Sequence, residues 1–544
     1  MSAYTAHIDD FARANMPPQA DWPWFNRAPP FAYPERLNAG EALLSEAGGK
    51  FGERPALRST YETWSYARLL AASNRLVHVL SAEFGLVPGN RVLLHGPNSP
   101  MLIAACLATW KAGGIVVPTM PLLRASELTV IAEKTRARFA LVDERYAEAM
   151  LDCQAGTAAL ERVCQFSGTG GEAELEALLA AGSPTFEAVA TAAEDVAVIL
   201  FTSGTTGEPK GAMHSHAAVL AITECFPKVV LRPGPEDVFV GSPPLAFAYG
   251  FGGLVAFPLR YGASAVLLDA PGPEALLEAI GRHGASICFT APTAYRAMLQ
   301  LFDDAAEAER RFPRLRLCAS AGEALRPSTI FAWREATGLT LADGIGTTEM
   351  LNHFIATAPD ACRPGAAGQV LPGYEARVVD DDLQPVPDGE VGRLAVRGPT
   401  GCRYLADARQ REYVVDGWNL TGDAFRRDED GYFWHVARTD DMIVSAGYNI
   451  AGPEVEAALL RHPAVAECAV VAAPDGFRGQ IVYAFVVLRQ GRVGNDALAA
   501  ELQDFVKAEI APYKYPRAVA FIDAMPLTAT GKVQRFKLRE LAAR

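Results

Sequence analysis

The sequence predicts an α/β protein with a large N-terminal domain of helix-covered sheets, which includes a β-rich subdomain, and a small α+β C-terminal domain. Strand and helix signals alternate from about residue 91 to 143 and again from about 263 to 322. From about residue 365 the pattern changes to short strands separated by Asp- and Gly-rich turns. A chain of 544 residues is too long for one compact core. We place the domain boundary at Asp440–Asp441, which gives domains of residues 1–440 and 441–544.

The first alternating region predicts a parallel sheet. The segments "RVLLHG" (91–96), "GIVVPTM" (114–120) and "FALVD" (139–143) have the apolar character of buried strands. A helix follows the first of these strands, with Ser99 as its cap and Gly113 after its end. The segment "RASELTVIAEKTRA" predicts a second helix before the third strand. This β-α-β order is typical of a parallel sheet that is covered by helices on both faces.

The later segments predict more strands and then a separate fold. "ASAVLLDA" (263–270), "ICFTAP" (287–292) and "LRLCASAG" (315–322) are expected strands, and "PEALLEAIGRHG" is an expected helix. "YEARVVD", "GEVGRLAVRG" and "GYFWHVAR" indicate short antiparallel strands joined by tight turns. After residue 441, the helix "PEVEAALLRHP" precedes the strands "VAECAVVAAP" and "QIVYAFVVL" and the amphipathic helix "DALAAELQDFVKAEI".

Composition and charge argue against several classes of protein. The formal net charge of -13 disfavours non-specific binding to nucleic acid or to anionic membranes. The nine Cys are scattered and form no C-x-x-C pair, which favours reduced core thiols over a disulfide framework or a metal cluster. The N-terminal segment lacks the apolar region of a secretory signal, and the apolar run "MLIAACLATW" is too short to span a bilayer. We therefore expect a cytoplasmic protein.

A glycine- and hydroxyl-rich loop, "FTSGTTGEPKG" (201–211), follows the apolar segment "DVAVILF". Backbone N–H groups and hydroxyls in such a loop can converge on an anion, and Lys210 adds a positive charge. The spacing matches neither the Walker A loop nor the dinucleotide-binding loop. The residues alone leave two readings open, a phosphate cradle and a surface loop.

Three further segments carry polar residues that suit nucleotide chemistry. In "DGIGTTEM" (343–350), Glu349 could hold Mg²⁺ against phosphate oxygens, or could be a solvated residue in a turn. In "LTGD", Asp423 could bind both hydroxyls of a ribose, or could cap a turn. Arg438 could take part in binding or pair with Asp440, and Lys532 in "TATGK" could be functional or a solvated chain end.

Together and in this order, these segments resemble the adenylate-forming superfamily of acyl- and aryl-coenzyme A synthetases. The resemblance covers residues from about 35 to 540 and includes "RTDDMIVSAGYNIAGPEVE" between the last two segments. The segments "DGIGTTEML", "GRLAVRGPTGCRYL", "DGWNLTGD" and "SAGYNIAGPEVE" are similar to those of benzoate and 2-aminobenzoate (anthranilate) coenzyme A ligases. The resemblance implies a two-step reaction, in which ATP and a carboxylate give acyl-AMP and pyrophosphate, and coenzyme A then displaces AMP.

The resemblance also implies roles for individual residues. The β- and γ-phosphates would lie against Thr202, Ser203, Gly204, Thr205, Thr206, Gly207 and Lys210. Thr348 would contact the α-phosphate, and Glu349 would hold Mg²⁺. The adenine would be bordered by Gly322, Glu323, Asp343 and Gly344, and the ribose would be held by Asp423 and Arg438. Lys532 would bridge the carboxylate and the α-phosphate while the adenylate forms.

The C-terminal domain is expected to move, because the superfamily rotates this domain between the two half-reactions. Asp441 would be the hinge. One orientation would bring Lys532 to the site, and the other would bring Gly447 and Tyr448 beside coenzyme A. The resemblance leaves a monomer and a homodimer open.

The resemblance places the acid to be activated among three segments, whose candidate contacts are Phe247, Ala248, Tyr249, Gly346, Asn352 and His353. Small residues beside aromatic walls suit a flat ring, although Phe247 and Tyr249 could equally be core residues. The aryl ligases usually carry His where this chain has Asn352, and His353 follows it. Either residue could therefore line the pocket, so the expected substrate is a small aromatic acid with an undefined ring substituent.

Two other functions share parts of this pattern. An adenylating enzyme that loads a carrier protein would form the same acyl-AMP, and a coenzyme A ligase could act on a different small acid. A non-catalytic nucleotide sensor is disfavoured because Lys532, Glu349 and Asp423 are all present.

Overall fold

The computed structural model describes residues 4–202, 208–302, 312–438, 441–445, 448–475, 478–510, 512–527 and 533–543. The chain forms two compact units. Unit 1 comprises Met1–Ala376, Ala395–Leu420 and Gly431–Phe433, and unit 2 comprises Arg377–Leu394, Thr421–Asp430 and Trp434–Arg544. The hinge that the resemblance implies at Asp441 stays a prediction.

Two largely parallel sheets form the framework of unit 1. Their strands are β1 (Pro55–Arg58), β2 (Thr63–Ser65), β3 (Arg91–His95), β4 (Ile115–Thr119), β5 (Phe139–Asp143), β6 (Arg162–Phe166), β7 (Val196–Thr202), β8 (Lys210–Ser215), β9 (Val238–Gly241), β10 (Ser264–Val266), β11 (Ile287–Thr290), β12 (Leu317–Ser320), β13 (Leu341–Gly346), β14 (His353–Ala356) and β15 (Gln369–Val370). Among the described residues, one sheet has the order β6-β5-β3-β4-β7-β8, and the other has the order β15-β14-β13-β12-β11-β9-β10-β1-β2.

Helices cover these sheets. The described helices of unit 1 are α1 (Phe11–Ala14), α2 (Glu46–Phe51), α3 (Tyr66–His78), α4 (Pro100–Lys111), α5 (Ala125–Thr135), α6 (Ala147–Gly156), α7 (Glu174–Leu179), α8 (His216–Glu224), α9 (Ala248–Phe251), α10 (Phe257–Tyr261), α11 (Pro273–His283), α12 (Pro292–Leu299), α13 (Pro327–Thr337) and α14 (Gln410–Tyr413). In the described part of the chain, none is both long and apolar enough to cross a membrane.

The first β-α-β region has the predicted arrangement. All five residues of β3 are buried, as expected for a strand covered on both faces. β3 pairs in parallel with β4 and β5. Between β3 and β4, the Ser99 hydroxyl accepts a hydrogen bond from the Leu102 N–H and caps α4, whose residues are all buried. The predicted helix-covered parallel sheet is confirmed.

After β15 the chain forms further strands, as predicted. They are β16 (Glu375–Val379), β17 (Val391–Arg397), β18 (Val414–Val415), β19 (Trp418–Arg427) and β20 (Phe433–Arg438). Val415 pairs with Trp418 in an antiparallel hairpin. The two residues between them, Asp416 and Gly417, have φ values of 50° and 77°. An Asp-Gly loop with positive φ at both residues matches the right-handed twist of a hairpin.

Unit 2 contains an α+β fold that agrees with the sequence pattern. Its sheet is formed by β21 (Met442–Ser445), β22 (Tyr448–Ala451), β23 (Val465–Asp475), β24 (Gly479–Leu488) and β25 (Ala518–Phe521), in the order β22-β21-β24-β23 with β25 beside β24. Its helices are α15 (Gly452–Leu459), α16 (Asp496–Glu509) and α17 (Arg535–Ala542). Apolar residues of these elements, among them Ile443, Val455, Val482 and Leu502, form one buried core.

Candidate active site

The predicted phosphate loop joins two antiparallel strands of unit 1. Thr202, the last residue of β7, lies opposite Lys210, the first residue of β8. The start of β7 is buried, so the polar loop does follow an apolar strand, as expected. Five of the predicted phosphate contacts lie outside the described residues: Ser203, Gly204, Thr205, Thr206 and Gly207.

One tyrosine connects the two charged residues that the sequence assigns to phosphate and metal binding. The Lys210 Nζ lies over the Tyr404 ring, 4.9 Å from its centroid. The Tyr404 hydroxyl donates a hydrogen bond of 2.6 Å to Oε1 of Glu349. Burial is the largest of the effects that raise the pKa of Tyr404, so its phenol remains protonated and able to donate. Lys210, Tyr404 and Glu349 therefore form one cluster, here called the Lys–Tyr–Glu cluster.

Tyr404 is a site residue that sequence reasoning missed. It lies in a segment that pairs with β8, where the Met213 N–H donates to the Arg403 carbonyl and the Leu405 N–H donates to the Gly211 carbonyl. The Tyr404 side chain is fully buried. The available signal was a tyrosine, an aromatic residue with a hydroxyl group, in "GPTGCRYL". This segment is part of the resemblance to the aryl ligases, but the resemblance gave the tyrosine no role of its own.

Thr348 is fixed through its backbone. Nε2 of His214, on β8, lies 2.8 Å from the Thr348 carbonyl oxygen. Burial lowers the pKa of His214 to about 3, so the ring is neutral. Its Nε2–H donates the hydrogen bond that the Thr348 carbonyl oxygen accepts. His214 thus connects the strand after the phosphate loop to the segment that carries Glu349.

The residues predicted to border adenine lie on one parallel strand, β13, and in the loop after its neighbour, β12. Asp343 lies on β13 opposite Ser320 of β12, and Gly322 and Glu323 lie in the loop after β12. Gly322 has a φ of 91°, and no atom lies within 4 Å of the position that a Cβ would take, so space is open there. Carboxyl ends of adjacent parallel strands are a usual place for ligands in α/β sheets. The Glu323 carboxylate accepts a hydrogen bond from the Thr293 hydroxyl.

Asp343 is buried, and burial raises the pKa of its carboxyl group well above the usual value. Its Oδ1 has no hydrogen-bond partner among the described residues. The carboxyl group therefore keeps its proton to a higher pH in the folded protein than in the unfolded chain.

Asp343→Asn is expected to stabilise unit 1 against heat, by roughly 2 °C or more at pH 8. A carboxyl group whose pKa is higher in the folded protein than in the unfolded chain contributes its full stabilisation below the pKa of the unfolded chain. This stabilisation is lost as the pH rises towards the pKa of the folded protein. The amide never ionises, so the gain in Tm should grow between pH 4 and pH 8. Thermal unfolding of both proteins across this range measures it, and a gain that shrinks with rising pH would contradict the assignment.

The residues assigned to the acid lie together. The Asn352 side chain donates a hydrogen bond of 3.0 Å to the carbonyl oxygen of Ala248, the first residue of α9. The Tyr249 hydroxyl donates to the Ala319 carbonyl, and its ring meets the His353 ring edge-on at 5.4 Å. Gly346, at the end of β13, is exposed and pairs with His353. Phe247 immediately precedes α9 and is partly buried.

Gly344 is needed for this arrangement. A methyl group on Gly344 would lie 2.6 Å from Cδ2 of His353 and 2.9 Å from the Cβ of Ala356. Gly252 follows α9 directly, and a methyl group on it would lie 2.3 Å from Nδ2 of Asn352. Both glycines therefore allow the Asn352 and His353 side chains to pack against neighbouring backbone.

The predicted ribose-binding residues are paired within unit 2. Nη1 of Arg438 lies 3.1 Å from Oδ1 of Asp423. The Asp423 side chain is 7% exposed, and Nε2 of His435 lies 3.7 Å from its Oδ1. Gly422 has a φ of 75°, and a methyl group there would lie 2.8 Å from Nη2 of Arg438. The tight turn that the sequence predicts at Asp423 is wrong, because Thr421, Gly422 and Asp423 lie inside β19. Within this strand the positive φ of Gly422 and its missing side chain leave room for the guanidinium beside the Asp423 carboxylate.

The remaining predictions fall partly outside the described residues. Lys532 and Gly447 lie outside them, and Tyr448 is placed only as the first residue of β22. Asp441, the predicted hinge, accepts a hydrogen bond of 2.9 Å from Arg539 and lies 3.4 Å from Nε of Arg535, both on α17. Their proposed roles in catalysis stay predictions.

The site could hold Mg²⁺ only with help from substrate. Within the described ranges, no group of three or more His, Cys, Asp or Glu side chains could hold a metal ion. Mg²⁺ usually binds one or two carboxylates together with phosphate oxygens and water, so a single buried Glu349 fits this mode. Tyr404 bonds to Oε1 of that carboxylate, and no bond to Oε2 is formed by another described residue.

Comparisons with known proteins identify the family of the chain. Residues 44–404 match the model of the AMP-binding enzyme family, and residues 454–532 match the AMP-binding enzyme C-terminal domain. The benzoate–CoA ligase of Thauera aromatica is 35% identical over 94% of this chain and 98% of its own length. The crystal structure of the anthranilate CoA ligase AuaEII with anthranoyl-AMP has a TM-score of 0.84 and 32% identity, and the match covers 94% of this chain and 98% of that one.

A further crystal structure supports the same relationship. The benzoate CoA ligase from Burkholderia xenovorans LB400 has a TM-score of 0.82 and 31% identity, and the match covers 92% of this chain and 100% of that one. The family match covers more than half of the chain, and both the sequence and the structural relatives span nearly all of it. The protein therefore belongs to the AMP-binding enzyme family, in the part of the adenylate-forming superfamily that contains the benzoate and anthranilate coenzyme A ligases.

Proposed function

We propose that the protein is an ATP-dependent aryl-coenzyme A ligase that converts a benzoate-type acid to its thioester. A carboxylate oxygen of the acid attacks the α-phosphorus of ATP, and pyrophosphate leaves. The sulfur of coenzyme A then attacks the carbonyl carbon of the aryl-AMP, and AMP leaves. Benzoate and 2-aminobenzoate are the first candidates, because the relatives named above carry these acids in their names.

The Lys–Tyr–Glu cluster is the observation that carries this proposal. It joins Lys210, at the end of the predicted phosphate loop, to the buried side chain of Glu349, which lies 139 residues later in the chain. A positive charge and a carboxylate held in fixed relation suit a nucleotide triphosphate and its cation. Phosphoryl transfer depends mainly on such positioning and electrostatic stabilisation.

In this proposal each residue of the cluster has one task. Lys210 would offset the charge that grows on the departing pyrophosphate, and Thr202 would border the same phosphates. Tyr404 would hold the Glu349 carboxylate in place through its hydroxyl. Mg²⁺ bound at Glu349 would neutralise phosphate charge. Thr348, whose carbonyl is fixed by His214, would lie against the α-phosphate.

The unit 2 residues would act on the nucleotide and in the second step. Asp423, beside Arg438, would accept hydrogen bonds from the ribose hydroxyls. Lys532 would bridge the carboxylate and the α-phosphate during adenylation. Rotation about Asp441 would then exchange Lys532 for the segment of Gly447 and Tyr448, which would lie beside the pantetheine arm.

The surroundings of the reaction also stay proposals. A cytoplasmic location, which is expected from the sequence, is part of this proposal. The chain is expected to work as a monomer or a homodimer, without nucleic acid or membrane partners. An aryl thioester is the activated form from which an aromatic acid can be degraded, so a role in breakdown of aromatic compounds is consistent with this chemistry.

An initial-rate panel of acids tests the substrate class. The panel contains benzoate, the three aminobenzoates, acetate, butyrate and hexanoate, each with ATP, Mg²⁺ and coenzyme A. We expect kcat/KM for the best aryl acid to exceed that of every aliphatic acid by at least about tenfold, since a ring fills an apolar slot that a short chain leaves partly empty. A higher kcat/KM for any short aliphatic acid would refute the aryl assignment.

The same assay separates the main alternative, an enzyme that loads a carrier protein. Such an enzyme would release pyrophosphate with the acid but form no free thioester. Omission of coenzyme A from a parallel reaction is the matched control. We expect the thioester and AMP to appear in equal amounts only when coenzyme A is present.

A further inference from the structure

One nitrogen of a buried imidazole beside the residues assigned to the acid has no partner in the described part of the chain. His353, the first residue of β14, is 3% exposed. Its Nδ1 lies 2.8 Å from Oδ1 of Asn352. Its Nε2 is buried and has no hydrogen-bond partner among the residues that the structure describes. A buried polar atom without a partner in a folded protein calls for a physical explanation.

The neighbouring amide fixes which nitrogen of His353 carries the proton. Nδ2 of Asn352 donates to the Ala248 carbonyl, and Oδ1 accepts a hydrogen bond of 2.9 Å from the His353 N–H. If the amide were flipped, its oxygen would face the Ala248 carbonyl oxygen, and its NH₂ group would face the His353 N–H. Oδ1 is therefore the atom that faces the ring, so Nδ1 must donate to it. Nε2 is left with a lone pair and no proton.

The ring is also held neutral and in a fixed orientation. Burial lowers the pKa of His353 to about 3, so protonation does not turn Nε2 into a donor at neutral pH. The ring is stacked on Phe226, with centroids 4.1 Å apart and planes at 11°, and it meets Tyr249 edge-on. The structure thus presents a preorganised hydrogen-bond acceptor in an otherwise aromatic environment.

The position of this acceptor connects it with the acid rather than with the general core. Its ring contacts Tyr249, and its partner Asn352 holds Ala248; both contacts belong to the segment assigned to the acid. The ring also lies against Gly344 on β13, the strand that ends at the exposed Gly346. A benzoate ring alone offers this nitrogen no strong donor. A ring that bears an N–H or O–H group does.

We propose that Nε2 of His353 accepts a hydrogen bond from an amino or hydroxyl group on the ring of the acid, which makes His353 a specificity-determining residue for donor-substituted benzoates. The proposal rests on the proposed aryl-coenzyme A ligase function. Asn352 acts through His353 as a positioning residue, because it fixes the tautomer that leaves the lone pair free. A site with an acceptor that only the correct substrate satisfies discriminates strongly against the analogue without the donor.

Pairs of nearly isosteric acids test the proposal. The three aminobenzoates are compared with the three methylbenzoates at the same ring positions, and the three hydroxybenzoates distinguish O–H from N–H donors. The measured quantity is the ratio of kcat/KM between donor and methyl acid within one protein, in which any loss of folded enzyme cancels. The proteins are the wild type, His353→Phe, which keeps a flat ring without the acceptor, and Asn352→Ala, which frees the tautomer.

A second buried histidine provides a matched control. Nε2 of His95, on β3, also has no partner among the described residues, while its Nδ1 lies 2.9 Å from the Thr119 hydroxyl. Burial lowers the pKa of His95 to about 4. His95 makes no described contact with Ala248, Tyr249 or Asn352, so His95→Phe should leave the ratio at the wild-type value even if it lowers the Tm.

We expect the wild-type ratio to favour the donor by about ten- to a hundredfold at one ring position. His353→Phe should bring this ratio to about one or below, and Asn352→Ala should lower it partly. The proposal is overturned if the wild type prefers the methyl acid at all three positions, or if His353→Phe leaves the ratio within about twofold of the wild type. Both results leave the proposed function intact, since thioester and AMP still form. If the wild type turns over no aryl acid, the proposal for His353 and the proposed function are both overturned.

Discussion

Glu349→Gln is expected to lower the rate of aryl-AMP formation by about a hundred- to a thousandfold. The substitution keeps the size of the side chain and leaves an oxygen that can accept the hydrogen bond from Tyr404. It removes the negative charge that would hold Mg²⁺ against the phosphates. The folded structure should therefore remain while the half-saturating concentration of Mg²⁺ rises.

Exchange of labelled pyrophosphate into ATP, dependent on the acid, measures the first step alone. Tyr404→Phe is the informative companion, because it keeps the Glu349 side chain and removes only its hydrogen bond from Tyr404. We expect the exchange rate to fall by about tenfold and the Mg²⁺ requirement to rise less than in Glu349→Gln. Tyr66→Phe is the matched control, since the buried Tyr66 hydroxyl bonds to the Ala263 carbonyl. The stabilisation of the protein by Mg²⁺–ATP, seen as a shift in Tm, gives a readout apart from activity.

The roles of Glu349 and Tyr404 would be contradicted by two results. One is a Glu349→Gln protein that exchanges pyrophosphate into ATP at the wild-type rate at low Mg²⁺. The other is Tyr404→Phe with an unchanged Mg²⁺ requirement, which would reduce Tyr404 to a packing residue.

Lys532→Ala is expected to suppress aryl-AMP formation by about a thousandfold or more and to spare the second step. A lysine that bridges the carboxylate and the α-phosphate stabilises a charge arrangement that exists only during adenylation. If the C-terminal domain rotates about Asp441 before the thioester forms, the Lys532 side chain has left the site by then. The loss should therefore appear in kcat of the first step and not in the second.

Two assays separate the half-reactions of this variant. Pyrophosphate exchange reports the first step, and thioester formation from chemically prepared benzoyl-AMP and coenzyme A reports the second. Lys537→Ala serves as a control for removal of a positive charge in the same part of the chain, because Lys537 lies on α17 and has no assigned role. Equal losses in both half-reactions would contradict a two-conformation mechanism.

Elements whose signal is local could be predicted closely from the sequence. β3, α4 and β5 were expected from their apolar pattern and from the Ser99 cap, and all three are buried in the structure. The expected strand 263–270 is shorter, since β10 ends at Val266. Only Leu267 continues the ladder beyond it, by donating its N–H to the Arg58 carbonyl. Apolar residues alone do not reveal where the neighbouring strand stops.

The site was predictable where residues act alone and was not where they act in pairs. Glu349 and Lys210 could be proposed as site residues because charged residues in glycine-rich turns are visible in the sequence. Tyr404 was missed because its contact with Glu349 spans 55 residues and arises only when its segment pairs beside β8. His214 was missed for the same reason, since its partner is the backbone of Thr348 and any residue type provides a carbonyl.

The choice between Asn352 and His353 also needed the structure. The sequence presents two adjacent polar residues and suggests that one of them lines the acid-binding slot. In the structure they form a unit, in which the Asn352 amide joins the Ala248 carbonyl to the His353 ring. The direction of a hydrogen bond, and hence the protonation of a ring nitrogen, cannot be read from residue types.

Transfer of an oxygen atom from the acid to AMP tests the central claim most directly. The wild-type protein is incubated with benzoate labelled by ¹⁸O in both carboxylate oxygens, ATP, Mg²⁺ and coenzyme A, and the phosphorus products are analysed by mass spectrometry. We predict AMP with one ¹⁸O, because the bridging oxygen of the aryl-adenylate stays on phosphorus when the sulfur of coenzyme A displaces AMP. Formation of ADP with ¹⁸O in inorganic phosphate, or of AMP without label, would contradict an acyl-adenylate mechanism.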